Sequence, residues 1–384
     1  MYFCRKHTNN DITRHGNSRT DVDIYPRSME KHITIKDIAR MAGVSVGTID
    51  RVIHNRGRVS EASRAAIEQI LAKIDYRPDV HTSAKPHRKR YKILVTMPTA
   101  VTGEYWGAIQ TGITRCIREY ADLQIDCEYS YYNQFDIYSC RSAFENIVNQ
   151  GPDAVVIGPT FASETRKLCE SLGKEQIPYV FVDSTIEGTS PVASFTSDQY
   201  ACGYLLGEMT DMITPGDGEI ALFRPERAGN EASSNSIEKR KGFFDYFRLN
   251  GKEGRHVSEH LFSVPNPDET ERRLTEFIHS NPGVRGLAIT NSRGYIMADI
   301  LRKSGISHVK IVTFDLTTNN IRCIREGSIS AILCQRPEQQ GYKAVKSAIK
   351  WLLYRQEDEN IVHLMPLDIV VKTNLPFYMA SLNE

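Results

Sequence analysis

Hydrophobic positions change their spacing along the chain near residue 92. Between residues 31 and 78, apolar side chains recur three and four positions apart, which places them on one face of a helix. Thr34, Ser45 and Ser60 stand where helices can begin, because a hydroxyl oxygen accepts hydrogen bonds from the free N–H groups of a first turn. Three short helices are therefore predicted, with a small core that includes Ile38, Ala39, Val44, Ile49 and Val52.

From residue 92 onwards, short apolar runs alternate with helical stretches. This alternation is typical of βαβ units and parallel sheets, so residues 92–384 are predicted to form an α/β domain of two doubly wound lobes. A ligand site is expected in the cleft between the lobes, at the carboxyl ends of the strands. Strands are predicted at 92–97, 125–131, 154–158, 179–182, 219–223, 285–290, 309–313 and 329–334, with a last strand-like segment near 361–371.

Two segments show neither the helical spacing of apolar residues nor the alternation of apolar runs with helical stretches. Residues 1–30 are polar and irregular, which predicts a disordered N-terminal extension, and we expect Met29 to be the true start of the protein. Residues 79–91 are polar and basic and are interrupted by Pro86, so they are predicted to form a hinge or linker.

Composition excludes several classes of protein. The 384 residues are 40% hydrophobic and 25% charged, as in a globular protein, and no apolar run approaches the roughly 18 residues that a membrane helix needs. No apolar stretch follows the basic residues at the start, so we expect no secretory signal and a cytoplasmic protein without membrane contact. The eight cysteines are scattered without a C-x-x-C pair, which favours reduced thiols and no zinc site.

Motifs of enzymes are also missing from the sequence. We find no G-x-S-x-G, H-E-x-x-H, phosphate-binding loop or strand-linked G-x-G-x-x-G, so no catalytic residue, metal or cofactor is predicted. His256 and His260 are four residues apart, but the motif order is wrong for a zinc protease, and we expect a surface loop leading into a strand there.

Charge separates the two regions. Residues 1–92 carry a net charge of +9 and the remainder carries −8, which indicates a polyanion-binding N-terminal region. This region contains the pattern of a helix-turn-helix: a first helix KDIARMA, the turn Gly43-Val44 and a second helix SVGTIDRVI. Its outward positions are predicted to be Ser45, Val46, Gly47, Thr48, Arg51 and His54.

The run from Ile33 to Arg64, followed by Tyr76-Arg-Pro, resembles the signature of the LacI/GalR family of bacterial transcriptional regulators. The α/β remainder is similar in layout to that family's periplasmic-binding-protein-like sensor. The resemblance implies a helix-turn-helix headpiece that binds double-stranded operator DNA as a homodimer. It also implies a small-molecule effector, a carbohydrate, whose binding changes the affinity for DNA.

Carried over position by position, the resemblance assigns phosphate contacts to Thr34, Ser45 and Thr48 and base recognition to Arg51. Val46 and Gly47 fall at the two positions that select the operator, and neither side chain can donate a hydrogen bond. His54 and Arg58 complete the predicted DNA-binding set. One departure concerns the hinge, where Lys85-Pro86 stands in place of the leucine that wedges into the minor groove.

Polar and aromatic residues follow several predicted strands of the sensor. Tyr105 and Trp106 come after the first strand and resemble the paired aromatics of ribose-type binding proteins. Amide and carboxylate side chains accept hydroxyl hydrogens, so they suit a sugar site. The predicted effector-binding residues are Tyr105, Trp106, Lys239, Asn291, Asp315 and Gln335.

Three departures from the family pattern affect this site. Lys239 stands where an arginine is frequent, Phe161 where ribose-type sites carry an aspartate, and Asn291 is followed by Ser292-Arg293. We therefore expect fewer carboxylates and additional cations, which leaves an acidic or phosphorylated sugar open as effector. The alternative function is a periplasmic-type sugar-binding transport protein, against which the headpiece and the missing signal peptide argue.

Overall fold

The structure is a computed structural model that describes residues 35–53, 59–73, 90–226, 234–252, 254–355 and 361–381. The chain divides into two compact units, Met1–Ser83 and Ala84–Glu384. Several predictions fall outside the described residues. These are the N-terminal extension 1–30, the hinge 79–91 up to residue 89, and the DNA contacts of Thr34, His54 and Arg58.

In the first unit, the predicted helices are present as α1 (Ile35–Ala42), α2 (Val46–Ile53) and α3 (Glu61–Lys73). Gly43 has a φ of +64°, a left-handed conformation that costs glycine little and ends α1 in a tight turn. Ser45 and Ser60 accept hydrogen bonds at 3.2 Å from the N–H groups of Thr48 and Ser63, and thus cap α2 and α3. Ile38, Ala39, Ile49, Val52 and Ile67 form the buried core, with Val44 packed against it.

The second unit alternates strands and helices. Its first half contains β1 (Tyr91–Pro98), α4 (Tyr105–Glu119), β2 (Ile125–Tyr132), α5 (Ile137–Glu145), β3 (Ala154–Ile157), α6 (Ala162–Lys174), β4 (Tyr179–Asp183), β5 (Ala193–Thr196) and α7 (Gln199–Ile213). Its second half contains β6 (Glu219–Pro225), α8 (Ser234–Leu249), β7 (Val257–Phe262), α9 (Pro267–Ser280), β8 (Val284–Ile289), α10 (Gly294–Lys303), β9 (Lys310–Phe314), α11 (Thr318–Glu326), β10 (Ala331–Cys334), α12 (Pro337–Tyr354), β11 (Val362–Leu364), β12 (Asp368–Val370) and α13 (Leu375–Ser381).

The strands of the described residues form two six-stranded sheets, in the orders β11-β5-β4-β3-β1-β2 and β12-β10-β9-β8-β6-β7. All neighbouring strands pair in parallel except β12, which runs antiparallel to β10. Central strands such as β3 and β10 are buried along their whole length, because helices cover both faces of each sheet. The prediction of an α/β domain with two doubly wound lobes is confirmed.

The chain does not complete one lobe before it begins the other. Helix α7 packs against α8 and the strands of the second sheet, whereas α12 returns to pack against α4 and the strands of the first sheet. The crossing helices approach very closely. A Cβ on Gly112 of α4 would lie 1.9 Å from the carbonyl oxygen of Glu338, and one on Gly203 of α7 would lie 1.9 Å from that of Lys239.

Three local expectations need correction. The linker ends before Tyr91, because the N–H of this residue donates to the carbonyl of Gln124 and β1 begins there. A loop around His256 does lead into a strand, β7, but His260 lies within that strand, where its imidazole is half-buried and stacks on Phe223. Strand β5 was not predicted, since it is only four residues long, and β7 was expected without bounds, since it carries polar residues typical of a sheet edge.

No helix in the described part of the chain is both long and apolar enough to span a bilayer.

Candidate functional site

The predicted DNA-binding residues that the structure describes lie in α2 or directly before it, with Arg51 in its last turn. Ser45, Val46, Gly47 and Arg51 are exposed, and Thr48 is partly exposed. The Ser45 and Thr48 hydroxyls are 2.9 Å apart and form a hydrogen bond with each other. The core residues Ile49 and Val52 occupy the opposite face of the helix, so the amphipathic pattern leaves Arg51 free to extend outward.

A cavity of about 430 Å³ lies between the two lobes, at the carboxyl ends of their strands. All six predicted effector-binding residues line it. Tyr105 and Trp106 begin α4 after β1, Asn291 follows β8, Asp315 follows β9, Gln335 follows β10, and Lys239 comes from α8. The structure thus brings together six residues that are up to 230 positions apart in the sequence.

Asp315, Gln335 and Lys239 form a buried polar group at the base of the cavity. One Asp315 oxygen accepts a hydrogen bond from the Gln335 backbone N–H at 2.9 Å, and the other accepts one from its Nε2 at 2.8 Å. The Lys239 ammonium donates to Oε1 of Gln335 at 3.3 Å and lies 4.0 Å from the centre of the Phe314 ring. Because Asp315 is only 2% exposed and Lys239 only 6%, water solvates these two charged groups very little.

Burial dominates the titration of Asp315. It raises the pKa of this carboxyl to about 6, since the charged form is disfavoured away from water. The N–H groups of Gln335 and the charge of Lys239 act in the opposite direction, while the neighbouring Asp183 raises the pKa further. The carboxyl of Asp315 therefore changes its protonation near neutral pH.

A second carboxylate, that of Asp183, is partly buried and faces the same cavity. The Tyr105 hydroxyl donates to Oδ1 at 2.5 Å and the Asn235 amide donates to Oδ2 at 3.1 Å. The Asp183 N–H in turn donates to Oε1 of Gln340 at 3.1 Å. Burial raises the pKa of the Tyr105 hydroxyl, and the adjacent Asp183 charge adds to the effect, so this tyrosine remains a neutral donor.

The two aspartates occupy equivalent places in the two lobes. Asp183 ends β4 and Asp315 follows β9, and each of these strands is third in its sheet. Both residues have left-handed backbones, with φ of +74° and +58°. Such a conformation is uncommon for residues other than glycine, although asparagine and aspartate adopt it more readily than most. The lobes thus present their carboxylates through the same local geometry.

Other predicted residues have structural roles as well. Trp106 is only 5% exposed and meets Tyr105 edge to face at 5.4 Å, so it forms a wall more than an open stacking platform. Gly158 leaves room for its ring, since a Cβ there would lie 2.7 Å from Cζ3. Asn291 accepts the Arg293 N–H at 3.0 Å through its side chain, so this residue partly serves the local turn before α10.

The expectation of fewer carboxylates than in the family pattern stays a prediction, although the cavity does contain several. Asp183, Asp315, Glu104 and Glu226 all line the cavity. Phe161, at the position where ribose-type sites carry an aspartate, packs into the hydrophobic core of the first lobe. Sequence reasoning missed Asp183, Asn235, Glu104, Arg224 and Phe135 as lining residues, although Asp183 follows its strand just as Asp315 does. Within the described ranges, no group of three or more metal-ligating side chains occurs.

Sequence comparison finds two families along the chain. The family described as "Periplasmic binding protein domain" matches residues 93–355, and the one described as "Bacterial regulatory proteins, lacI family" matches residues 34–79. The chain belongs to the LacI/GalR family of bacterial transcriptional regulators. Because the DNA-binding match precedes the sensor match, this LacI-type regulator is distinguished from transport proteins that share only the sensor fold.

Individual relatives agree with this assignment. The HTH-type transcriptional regulator GalR of Escherichia coli K12 is 23% identical over 288 residues, 73% of this chain and 79% of GalR. A crystal structure assigned to a LacI transcriptional regulator from Bacteroides fragilis is 28% identical, with a TM-score of 0.72 over 76% of this chain and 100% of that chain. The ribose import binding protein RbsB of Escherichia coli is 24% identical over 236 residues, 59% of this chain and 74% of RbsB.

Proposed function

We propose that this LacI-type regulator binds double-stranded operator DNA through the exposed face of α2 and one carbohydrate effector in the cavity between its lobes. It acts in the cytoplasm as a homodimer, because helix-turn-helix headpieces read pseudopalindromic sites in pairs. Its role is regulation of transcription and not catalysis.

The effector half of the proposal depends on one observation above all. The carboxylates of Asp315, which is buried, and Asp183, which is partly buried, line one cavity from the two lobes, beside the aromatic ring of Tyr105. Carboxylates accept hydroxyl hydrogens and an aromatic ring packs against C–H groups, so this combination suits a molecule with several hydroxyls. The cavity volume of about 430 Å³ is within the usual range for small-molecule sites.

The DNA half depends on the exposure and chemistry of α2. Arg51 can donate a bidentate pair of hydrogen bonds to guanine, and the hydroxyls of Ser45 and Thr48 can reach phosphates or base edges. Val46 and Gly47 offer only apolar surface at their positions, so we propose that they contact thymine methyl groups or select by shape. The net charge of +9 in residues 1–92 supplies the general attraction to the duplex.

The proposal is tested with the full chain and a pool of random DNA duplexes. We expect selection to enrich a pseudopalindrome, which the purified protein then binds in an anisotropy assay at fixed salt. Adding members of a carbohydrate panel should change this affinity, and DNA should change the affinity for the active sugar by the same factor. Asp315→Ala should abolish the response to the sugar and retain DNA binding.

Two results would contradict the proposal. If the selection enriches no sequence, the result argues against specific DNA binding. If the response to the sugar persists in Asp315→Ala, Asp315 does not belong to the effector site. Asp122→Ala is the matched control, since Asp122 is an exposed carboxylate that does not line the cavity. This variant should respond to the sugar like the unaltered protein.

A further inference from the structure

Arg293 reaches into the cavity from the second lobe. It lies between β8 and α10, where its N–H donates to the Asn291 side chain at 3.0 Å. Its guanidinium carbon lies 5.2 Å from the centre of the Phe135 ring, and Phe135 belongs to the segment that follows β2 in the first lobe. The guanidinium thus sits over an aromatic ring of the opposite lobe, within the cavity lining.

The charge of Arg293 is poorly compensated. No carboxylate oxygen of the described residues lies within 4.0 Å of its guanidinium nitrogens. Burial lowers the pKa of this guanidinium, and Tyr295 and Glu104 offset that effect only in part. A partly buried charge without an ion-pair partner is incompletely stabilised, so a ligand that carries the opposite charge would gain energy by meeting it.

The other two cations of the cavity already have partners. Arg224 forms an ion pair with Glu259 at 2.5 Å. Lys239 donates to Gln335 and contacts the face of Phe314, and its charge acts on the neighbouring Asp315. Of the cations that line the cavity within the described residues, Arg293 is therefore the one that remains available to a ligand anion.

We infer that the effector is a sugar acid, a sugar derivative with one carboxylate, and that Arg293 binds this carboxylate. The inference rests on the proposed function, because it assumes that the cavity binds a carbohydrate. A guanidinium matches a carboxylate through two parallel N–H···O hydrogen bonds, which makes the contact selective for a planar anion. Asp183 and Asp315 then accept hydroxyl groups from the remainder of the ligand.

A carboxylate fits this position better than a phosphate does. The backbone N–H groups nearest Arg293 are already used: that of Gly294 donates to Thr313 at 3.1 Å and that of Tyr295 donates to Asn320 at 3.0 Å. The start of α10 therefore offers these groups to no phosphate oxygen. Glu104, Asp183 and Asp315 also line the cavity, and their charges would oppose a dianion more strongly than a monoanion.

Isothermal titration of the full chain tests the inference. The panel consists of D-glucuronate, D-galacturonate, D-gluconate and D-galactonate, the neutral parents D-glucose and D-galactose, and the two parent 6-phosphates. We expect at least one acid to bind ten times or more tightly than its parent, because a charge-assisted pair replaces a neutral contact. In Arg293→Gln this ratio should fall to about one, whereas Arg293→Lys should keep part of it.

Arg302→Gln is the matched control, because Arg302 lies near the end of α10, the helix that Arg293 precedes, and pairs with Asp299 at the surface, so this variant should keep the full ratio. A neutral sugar that binds as tightly as its acid, or a phosphate that binds more tightly, would overturn the inference and leave the proposed carbohydrate effector standing. A ratio that persists in Arg293→Gln would overturn the assignment to Arg293. Binding of no panel member would count against the proposed function and the inference together.

Discussion

Replacement of Asp315 by asparagine tests the electrostatics of the cavity directly. Asparagine tolerates the left-handed backbone found at this position, with φ of +58°, so the change alters the charge and leaves the local chain conformation accessible. It also keeps an oxygen that can accept the Gln335 N–H. The substitution removes a carboxyl that titrates, and the resulting change in the pH dependence of stability can be calculated.

The magnitude follows from the raised pKa. Burial raises the pKa of Asp315 from 3.8 to about 6, so the folded state binds more protons than the unfolded state between these values. Stability from this group is therefore fully present below pH 3.8 and is lost as the pH rises through 6. At about 1.4 kcal/mol per pKa unit, the full loss is about 3 kcal/mol, and about half of it falls between pH 5 and pH 8.

Urea unfolding of the full chain at several pH values measures this effect. The two tryptophans, Trp106 and Trp351, both lie in the α/β unit, so their fluorescence follows the unfolding of that unit. Relative to the unaltered protein, Asp315→Asn should gain about 1 to 2 kcal/mol in unfolding free energy between pH 5 and pH 8. This comparison cancels any constant cost of the substitution, and Asp122→Asn controls for the loss of a carboxylate in general. Parallel pH curves for Asp315→Asn and the unaltered protein would refute the reasoning.

Three further substitutions have defined outcomes. Arg51→Ala should weaken operator binding by about 1 to 3 kcal/mol in a salt-controlled anisotropy assay and relax specificity at one base pair, whereas equal weakening on all sequences would indicate a phosphate contact. Tyr105→Phe removes a donor to Asp183 and should cost about 1 to 3 kcal/mol of unfolding free energy, while Tyr138→Phe, at an exposed site, should cost almost none. Gly112→Ala should lower the melting temperature by several degrees, because its Cβ would meet the Glu338 backbone, but Gly173→Ala in the open part of α6 should be neutral or stabilising.

The sequence predicted the elements of this fold best where periodicity was strong. Apolar runs such as KILVTM and AVVIG gave strands within one residue of those observed, because a strand buried on both faces is apolar throughout. The bounds of the edge strand β7 were not predicted, because Ser258, Glu259 and His260 break the apolar pattern that burial would impose. The return of α12 to the first lobe has no local signature at all, since it depends on contacts between helices far apart in the chain.

The residues that line the cavity were predicted best where a residue directly follows a strand. Asp315 and Gln335 line the cavity because carboxyl ends of parallel strands meet at one edge of a sheet. The same argument applies to Asp183, which directly follows YVFV, but its importance becomes evident only when β4 and β9 are seen to be equivalent. Neither Asn235 nor Phe135 directly follows an apolar run in the sequence. Only the three-dimensional arrangement therefore identifies them as lining residues of the cavity.

The distribution of lining residues between the lobes has a consequence for regulation. Tyr105, Asp183 and Phe135 belong to the first lobe, whereas Asp315 and Arg293 belong to the second. The lobes also meet directly, where the Thr318 N–H donates to the Gly103 carbonyl at 2.8 Å. A ligand that fills the cavity must therefore contact both lobes in the arrangement that this structure describes. Since a ligand shifts an equilibrium by its difference in affinity for two states, any such ligand would favour this arrangement over one in which the lobes lie farther apart.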